Sequence, residues 1–145
     1  MERIYIKDLS LHIGETVLVK GWVNVRRDQG KMVFFDMRDM SGIVQCVTLP
    51  THADAIERAK DIRSEWALEV RAIVNKRPKK NIKEGLVNGD IELEVTSIKV
   101  LGKAAPLPFD MSLEGYNLEL TAELDNRALV LRGPKIQAIF KVQET

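Results

Sequence analysis

The stretch GWVNVRRDQGKMVFFDMRD, residues 21–39, decides how the rest of the chain is read. Two runs of alternating apolar and polar residues flank a glycine-bearing turn at Asp28, Gln29 and Gly30, the pattern of a β-hairpin. Successive strand residues point to opposite faces, so Phe34 and Phe35 cannot both enter one core. With Val33, Phe35 and Met37 facing in, Met32, Phe34, Asp36 and Arg38 face out. Thr16–Arg26 alternates in the same way. Val17, Val19, Gly21, Val23 and Val25 form the core side, and Leu18, Lys20, Trp22, Asn24 and Arg26 the other.

Outward from this hairpin, Ser41 and Gly42 turn the chain into a third strand, in which Val44 and Cys46 alternate with Ile43, Gln45 and Val47. Either side of that strand could be the buried one. After Pro50, THADAIERAKDIR has a helix signature, with Thr51 as the expected N-cap and Ala55, Ile56, Ala59 and Ile62 at helical spacing. Trp66–Asn75 and Ile91–Leu101 read as fourth and fifth strands, rich in β-branched residues. A short helical turn is expected around KDLSL near the N-terminus. Five strands with one helix between the third and fourth is the element order of an all-β OB-fold, a Greek-key barrel that binds oligonucleotides on the face of strands 2 and 3.

Bulk properties set outer bounds. A chain of 145 residues fits one ordinary domain with a short appendage and can bury a real core. No apolar run approaches the roughly 20 residues of a membrane-spanning helix, and MERIYIKD alternates charge with apolar residues instead of forming a signal segment. The cytoplasm is the expected compartment, in keeping with the single cysteine, Cys46. The 22 basic and 21 acidic residues leave a net charge of +1, so the chain is no general polycation. Its charge is nonetheless polarised: Lys76–Lys83, KRPKKNIK, has five basic residues and no acid, whereas Asp110, Glu114, Glu119 and Glu123 follow one another without an intervening base.

On an OB barrel the outward positions of strands 1–3 are expected to bring Asn24, Arg26, Phe34 and Gln45 onto one surface, with the basic loop at its rim. An aromatic ring stacks on a base, an amide pairs with a base edge, and cations neutralise phosphates. The other reading is that Phe34 packs under a loop or the C-terminal appendage. Asp36, Arg38 and Asp39 read as a structural clamp of the hairpin before acid/base chemistry. His12, His52 and Cys46 have no metal-ligand spacing, and no phosphate-binding glycine motif occurs. No metal site and no catalytic residues are expected.

GWVNVRRDQGKMVFFDMRDMSGIVQ, residues 21–45, closely resembles the N-terminal anticodon-binding OB domain of aspartyl-tRNA synthetases, class IIb aminoacyl-tRNA synthetases. The likeness continues through KNIKEGLVNGDIELEV, 80–95, while APLPFD, 105–110, and AELDNRALVLRGPKIQAIFKVQ, 122–143, are similar to the hinge and first core helix of that family. The resemblance implies residues 1–104 as the OB domain, 105–133 as hinge, and 134–145 as the start of the first helix of a catalytic core. It implies that Phe34 stacks on the central anticodon uracil and that Gln45 bonds a neighbouring base edge. Arg26 and Arg27 would contact the anticodon, and the loop at Lys79, Lys80 and Asn81 its outer nucleotides. Family members usually carry LDLRRP where this chain has LVLRGP, with Val130 and Gly133 replacing an acid and an arginine, which puts a hinge contact to tRNA in doubt. The resemblance implies that the class II catalytic motifs would come later in such a protein, and none is found in these 145 residues. The parent would then be a homodimeric enzyme joining aspartate to tRNA with ATP and magnesium, with tRNA-Asn as a further substrate left open. This chain would bind tRNA, need no cofactor and catalyse nothing. A single-strand-binding OB protein without anticodon preference, and a protein-interaction OB domain, are the competing readings.

Overall fold

A computed structural model describes residues 1–83, 85, 87–109 and 118–144. Contacts divide the chain into two units, Met1–Ala104 and Ala105–Thr145. In the first, a 3-10 segment, Ile6–His12, leads into strands β1 (Thr16–Gln29), β2 (Met32–Asp39) and β3 (Gly42–Thr48). Helix α1 (Ala53–Asp61) follows, then β4 (Ala67–Lys76), a 3-10 turn at Lys79–Asn81, and β5 (Ile91–Gly102). Among the described residues no helix is long and apolar enough to cross a membrane.

The strands close into a barrel in the order β1-β2-β3-β5-β4. Closure depends on the length of β1. Its first half, Thr16–Trp22, pairs with β4, and its second half, from Trp22 to Gln29, pairs with β2. One strand therefore serves both ends of the sheet. Gly21 lies where it changes partner: a Cβ there would overlap the Arg38 carbonyl oxygen, so the strands approach this closely only because the position has no side chain. The barrel is sealed by the one parallel contact among the named strands, Cys46 beside Leu93 and Val47 beside Glu94.

The core follows from the alternation. Val17, Val19 and Val23 of β1 meet Val33, Phe35 and Met37 of β2, and β4 and β5 contribute Leu68, Val70, Ala72, Val74, Ile91, Leu93 and Val95. The ambiguous register of β3 is resolved by its neighbour. Cys46 lies opposite Phe35 and Val44 opposite Met37, so that row is the inner one. Ala55, Ala59 and Ile62 bring α1 onto the same core, and Ile6 and Leu9 join it from the N-terminal 3-10 segment. Thr51 is not the cap of α1. The position before the helix is His52, whose side chain makes no capping bond and instead meets Glu94 at 3.1 Å.

Asp39 ties the hairpin to the N-terminal segment. Its carboxylate is fully covered and accepts hydrogen bonds from the backbone N–H groups of Ile6, Ser41 and Gly42 and from the Ser41 hydroxyl. Burial alone would raise its pKa, but these donors outweigh it and hold the carboxyl below its usual range. The expected clamp is thus centred on Asp39, while Asp36 and Arg38 serve other partners.

The second unit contains α2 (Leu120–Asp125), α3 (Arg127–Val130) and α4 (Pro134–Glu144). Asn126 separates the first two, its side-chain amide donating to the Ala122 carbonyl at 2.9 Å. Pro134 opens α4 at a position where its missing N–H costs nothing. The acidic residues Asp110 and Glu114 lie outside the described residues.

Candidate nucleic-acid interface

The outer rows of β2 and β3 are set by register. Phe34 stands opposite Val47, and Asp36 opposite Gln45. On the other side of β2, simple alternation along β1 fails. The pairing slips between Val23 and Val25, so that Val23 faces Met37 while Val25 faces Asp36. Asn24 is the extra residue of a β-bulge, and beyond it every side chain of β1 changes face. Arg26 now lies opposite Phe35, and Arg27 opposite Phe34.

This corrects the expectation that Arg26 shares the face of Phe34. Arg26 turns toward the end of the barrel closed by α1, where its Nε donates to the Ala59 carbonyl at 2.9 Å and its Nη2 to Asp28 at 2.7 Å. Arg27 takes the outward place, with Nη2 at 3.1 and 3.2 Å from the two carboxylate oxygens of Asp36. The two arginines line separate concavities.

Arg27 and Phe34 share a groove of about 300 Å³ with Gln29, Gln45, Arg77, Asn81 and Lys83. Three elements and a loop build it: the end of β1, the outer rows of β2 and β3, and the chain after β4. Phe34 is half-buried and lines the groove, so part of the ring stays accessible to a ligand. Lys79 and Lys80 are exposed on the 3-10 turn and do not line the groove; of that predicted trio only Asn81 does. Asn24 also leaves the predicted cluster. It lines an adjoining concavity with Asp36, Gln45 and Arg77.

Arg77 and Lys83 are the residues that sequence reasoning passed over within the basic run. Arg77 continues the outer row of β4 past Asn75, so alternation pointed to it. Its side chain is 4% exposed, and Nε has no hydrogen-bond partner, lying 3.9 Å from Glu92 while Nη1 reaches the Asn81 carbonyl at 3.5 Å. Glu92 also receives Gln45 Nε2 at 3.5 Å. These three contacts are long, and the Gln45 amide, on the groove, is left able to take a shorter partner from a ligand. Among the described residues no cluster of His, Cys, Asp and Glu is arranged to hold a metal ion.

A stacking ring, three amides with both donor and acceptor atoms, and three cations in one groove on the strand 2–3 face are the equipment of a nucleic-acid-binding OB domain. Residues 17–101 match the tRNA anticodon family described as OB-fold nucleic acid binding domain, and the chain belongs to that family. It is 37% identical over 132 residues to an aspartate–tRNA ligase of Staphylococcus aureus, covering 90% of this chain and 22% of that protein. The chain thus spans less than a quarter of the length of this relative. Among solved structures it is similar to asparaginyl-tRNA synthetase from Pyrococcus horikoshii in complex with asparaginyl-adenylate, at 28% identity and a TM-score of 0.74, over 99% of this chain and 32% of that one. Aspartyl-tRNA synthetase from Entamoeba histolytica superposes with a TM-score of 0.80 over 99% of this chain and 35% of that one, and at 24% identity this likeness speaks for the fold alone.

Proposed function

We propose that the groove between Arg27, Phe34 and Asn81 reads the anticodon of tRNA-Asp, and that this chain is the recognition part of an aspartate–tRNA ligase. The observation that carries the reading is the convergence of Phe34, Gln45, Asn81, Arg27, Arg77 and Lys83 on one concavity, in a chain 37% identical to a ligase of that specificity. Phe34 stacks on one base of the loop, Gln45 and Asn81 pair with the edges of its neighbours, and the cations carry the phosphates. The whole protein uses ATP and magnesium to attach aspartate, while this chain contributes binding and no catalytic step. Residues 105–133 serve as the hinge and 134–145 as the start of the core helix.

The test is a titration of labelled anticodon stem-loops, GUC against loops with each anticodon base changed. Preference for GUC, with a loss of about 1–3 kcal/mol for Phe34→Ala, is expected. Equal affinity for GUC and unrelated loops, or no effect of Phe34→Ala, overturns the reading. Equal affinity for pyrimidine DNA and the stem-loop, with a steep salt dependence, would mark a single-strand binder without anticodon preference.

A further inference from the structure

The bulge at Asn24 decides which of two adjacent arginines faces the RNA groove, so whatever holds the bulge holds the recognition surface. A bulge leaves one residue unpaired, and shifting it along the strand exchanges the faces of every residue it passes. In this barrel it is fixed from outside the hairpin. The Val23 N–H donates to the Trp66 carbonyl at 3.0 Å, and the Glu65 N–H donates to the Val23 carbonyl at 2.8 Å. The Ser64 hydroxyl donates to the Asn24 carbonyl at 2.7 Å. Arg38 then closes the arrangement from β2, with Nη1 donating to Asn24 Oδ1 at 3.2 Å. The same guanidinium forks on the Glu65 carboxylate, at 2.7 Å for each nitrogen.

Glu65 makes these contacts in the left-handed region, at φ of 68°. Glycine adopts that conformation freely, and a residue with a side chain does so at a cost. A turn needing only the backbone bond to Val23 is better served by glycine. What glutamate adds is the carboxylate, and Arg38 is a partner of that carboxylate. Neither residue lines the groove that contains Phe34 and Arg27.

We propose that Glu65 and Arg38 are positioning residues for RNA recognition: their ion pair pins the Asn24 bulge and thereby presents Arg27, and not Arg26, beside Phe34. The proposal rests on the anticodon reading above and adds to it residues that touch no nucleotide.

The experiment compares the 145-residue chain with Glu65→Gly and Arg38→Lys, each alone and combined with Arg27→Gln. Glu65→Gly suits the backbone but removes the fork; Arg38→Lys keeps the charge but cannot fork. Readouts are the affinity for a GUC stem-loop, the salt slope of binding, and circular dichroism for the barrel. Folded Glu65→Gly and Arg38→Lys are expected to lose about tenfold in affinity and to flatten the salt slope by up to about 0.7, the loss of one charge-assisted phosphate contact. Arg27→Gln should add less than about twofold in either background, because coupled residues do not add. Unchanged affinity and salt slope in the folded variants overturn the proposal, as does an Arg27→Gln penalty of full size in both backgrounds. Loss of the barrel in both variants overturns it too, in favour of a purely structural role. Phe34→Ala separates the two levels. If it leaves binding unchanged, the anticodon reading and this proposal fall together; if it weakens binding while Glu65→Gly does not, only the proposal falls.

Discussion

Replacing Arg27 and Arg26 by glutamine, one at a time, separates binding from folding in a way that the bulge alone dictates. Arg27 is 45% exposed, and its pair with Asp36 lies at the surface. Such a pair contributes at most about 1 kcal/mol to stability, so Arg27→Gln should melt close to the parent. Its cost falls on binding. Losing one charge-assisted contact in the groove is expected to weaken the stem-loop complex by about 1.5–3 kcal/mol. The slope of log K against log salt should fall by up to about 0.7, the counterion release of one phosphate on a single strand, with Asp36 making the change smaller. Arg26 has the opposite profile. Its Nε satisfies the Ala59 carbonyl in the last turn of α1, where an unpaired carbonyl and the helix dipole both favour a cation. Arg26→Gln is expected to cost about 1–2 kcal/mol of stability, several degrees in Tm for a domain of this size, and to leave the salt slope unchanged. Fluorescence anisotropy at four or so salt concentrations, with thermal melts on the same samples, checks both. If Arg26→Gln flattens the salt slope and Arg27→Gln does not, the assignment of faces is wrong.

Further outcomes follow from the same structure. Phe34→Ala should weaken binding with little change in melting, whereas Phe35→Ala, at a fully buried position, should cost about 3–5 kcal/mol of stability; similar melting losses for both would contradict the opposed faces. Asp39 is expected to dominate the acid limb of unfolding. Its carboxyl is held below the usual range in the folded chain, so its contribution is complete above the unfolded value of about 3.9 and is lost as pH falls through the lower folded value. Asp39→Asn should therefore cost about 2–3 kcal/mol at neutral pH and flatten the acid limb, to be checked by urea unfolding across pH. Cys46 is fully buried, which pushes its thiol pKa well up, and the Asp36 charge adds to the effect. Alkylation of native protein at pH 8 should leave it unmodified, and rapid labelling without denaturant would show that β3 opens.

Much of the barrel is legible in the primary sequence because its information is local. A period of two along Val17, Val19 and Val23 and along Val33, Phe35 and Met37 depends only on which residue types stand at alternate positions, and Phe34 is outward for the same reason. The basic loop is equally visible as a run, though its members are not equivalent: Lys79 and Lys80 stay on the exposed turn, while Arg77, Asn81 and Lys83 reach the groove. That sorting depends on how the chain leaves β4 and returns through β5. The register of β3 also needed its neighbours, since Val44, Cys46 and Val47 are all apolar and only pairing with Phe35 and Met37 selects the inner row.

The paired arginines mark the boundary between the two kinds of information. From the sequence, the strand, its two faces and the outward aromatic were determined, together with the resemblance to anticodon-binding domains. Which arginine stands beside Phe34 was decided only by the tertiary structure. The extra residue at Asn24 is stabilised by Ser64, 40 residues away along the chain, and by the ion pair of Arg38 with Glu65. A strand's faces follow from its own period, but the place where that period breaks is set by partners that folding alone brings into reach.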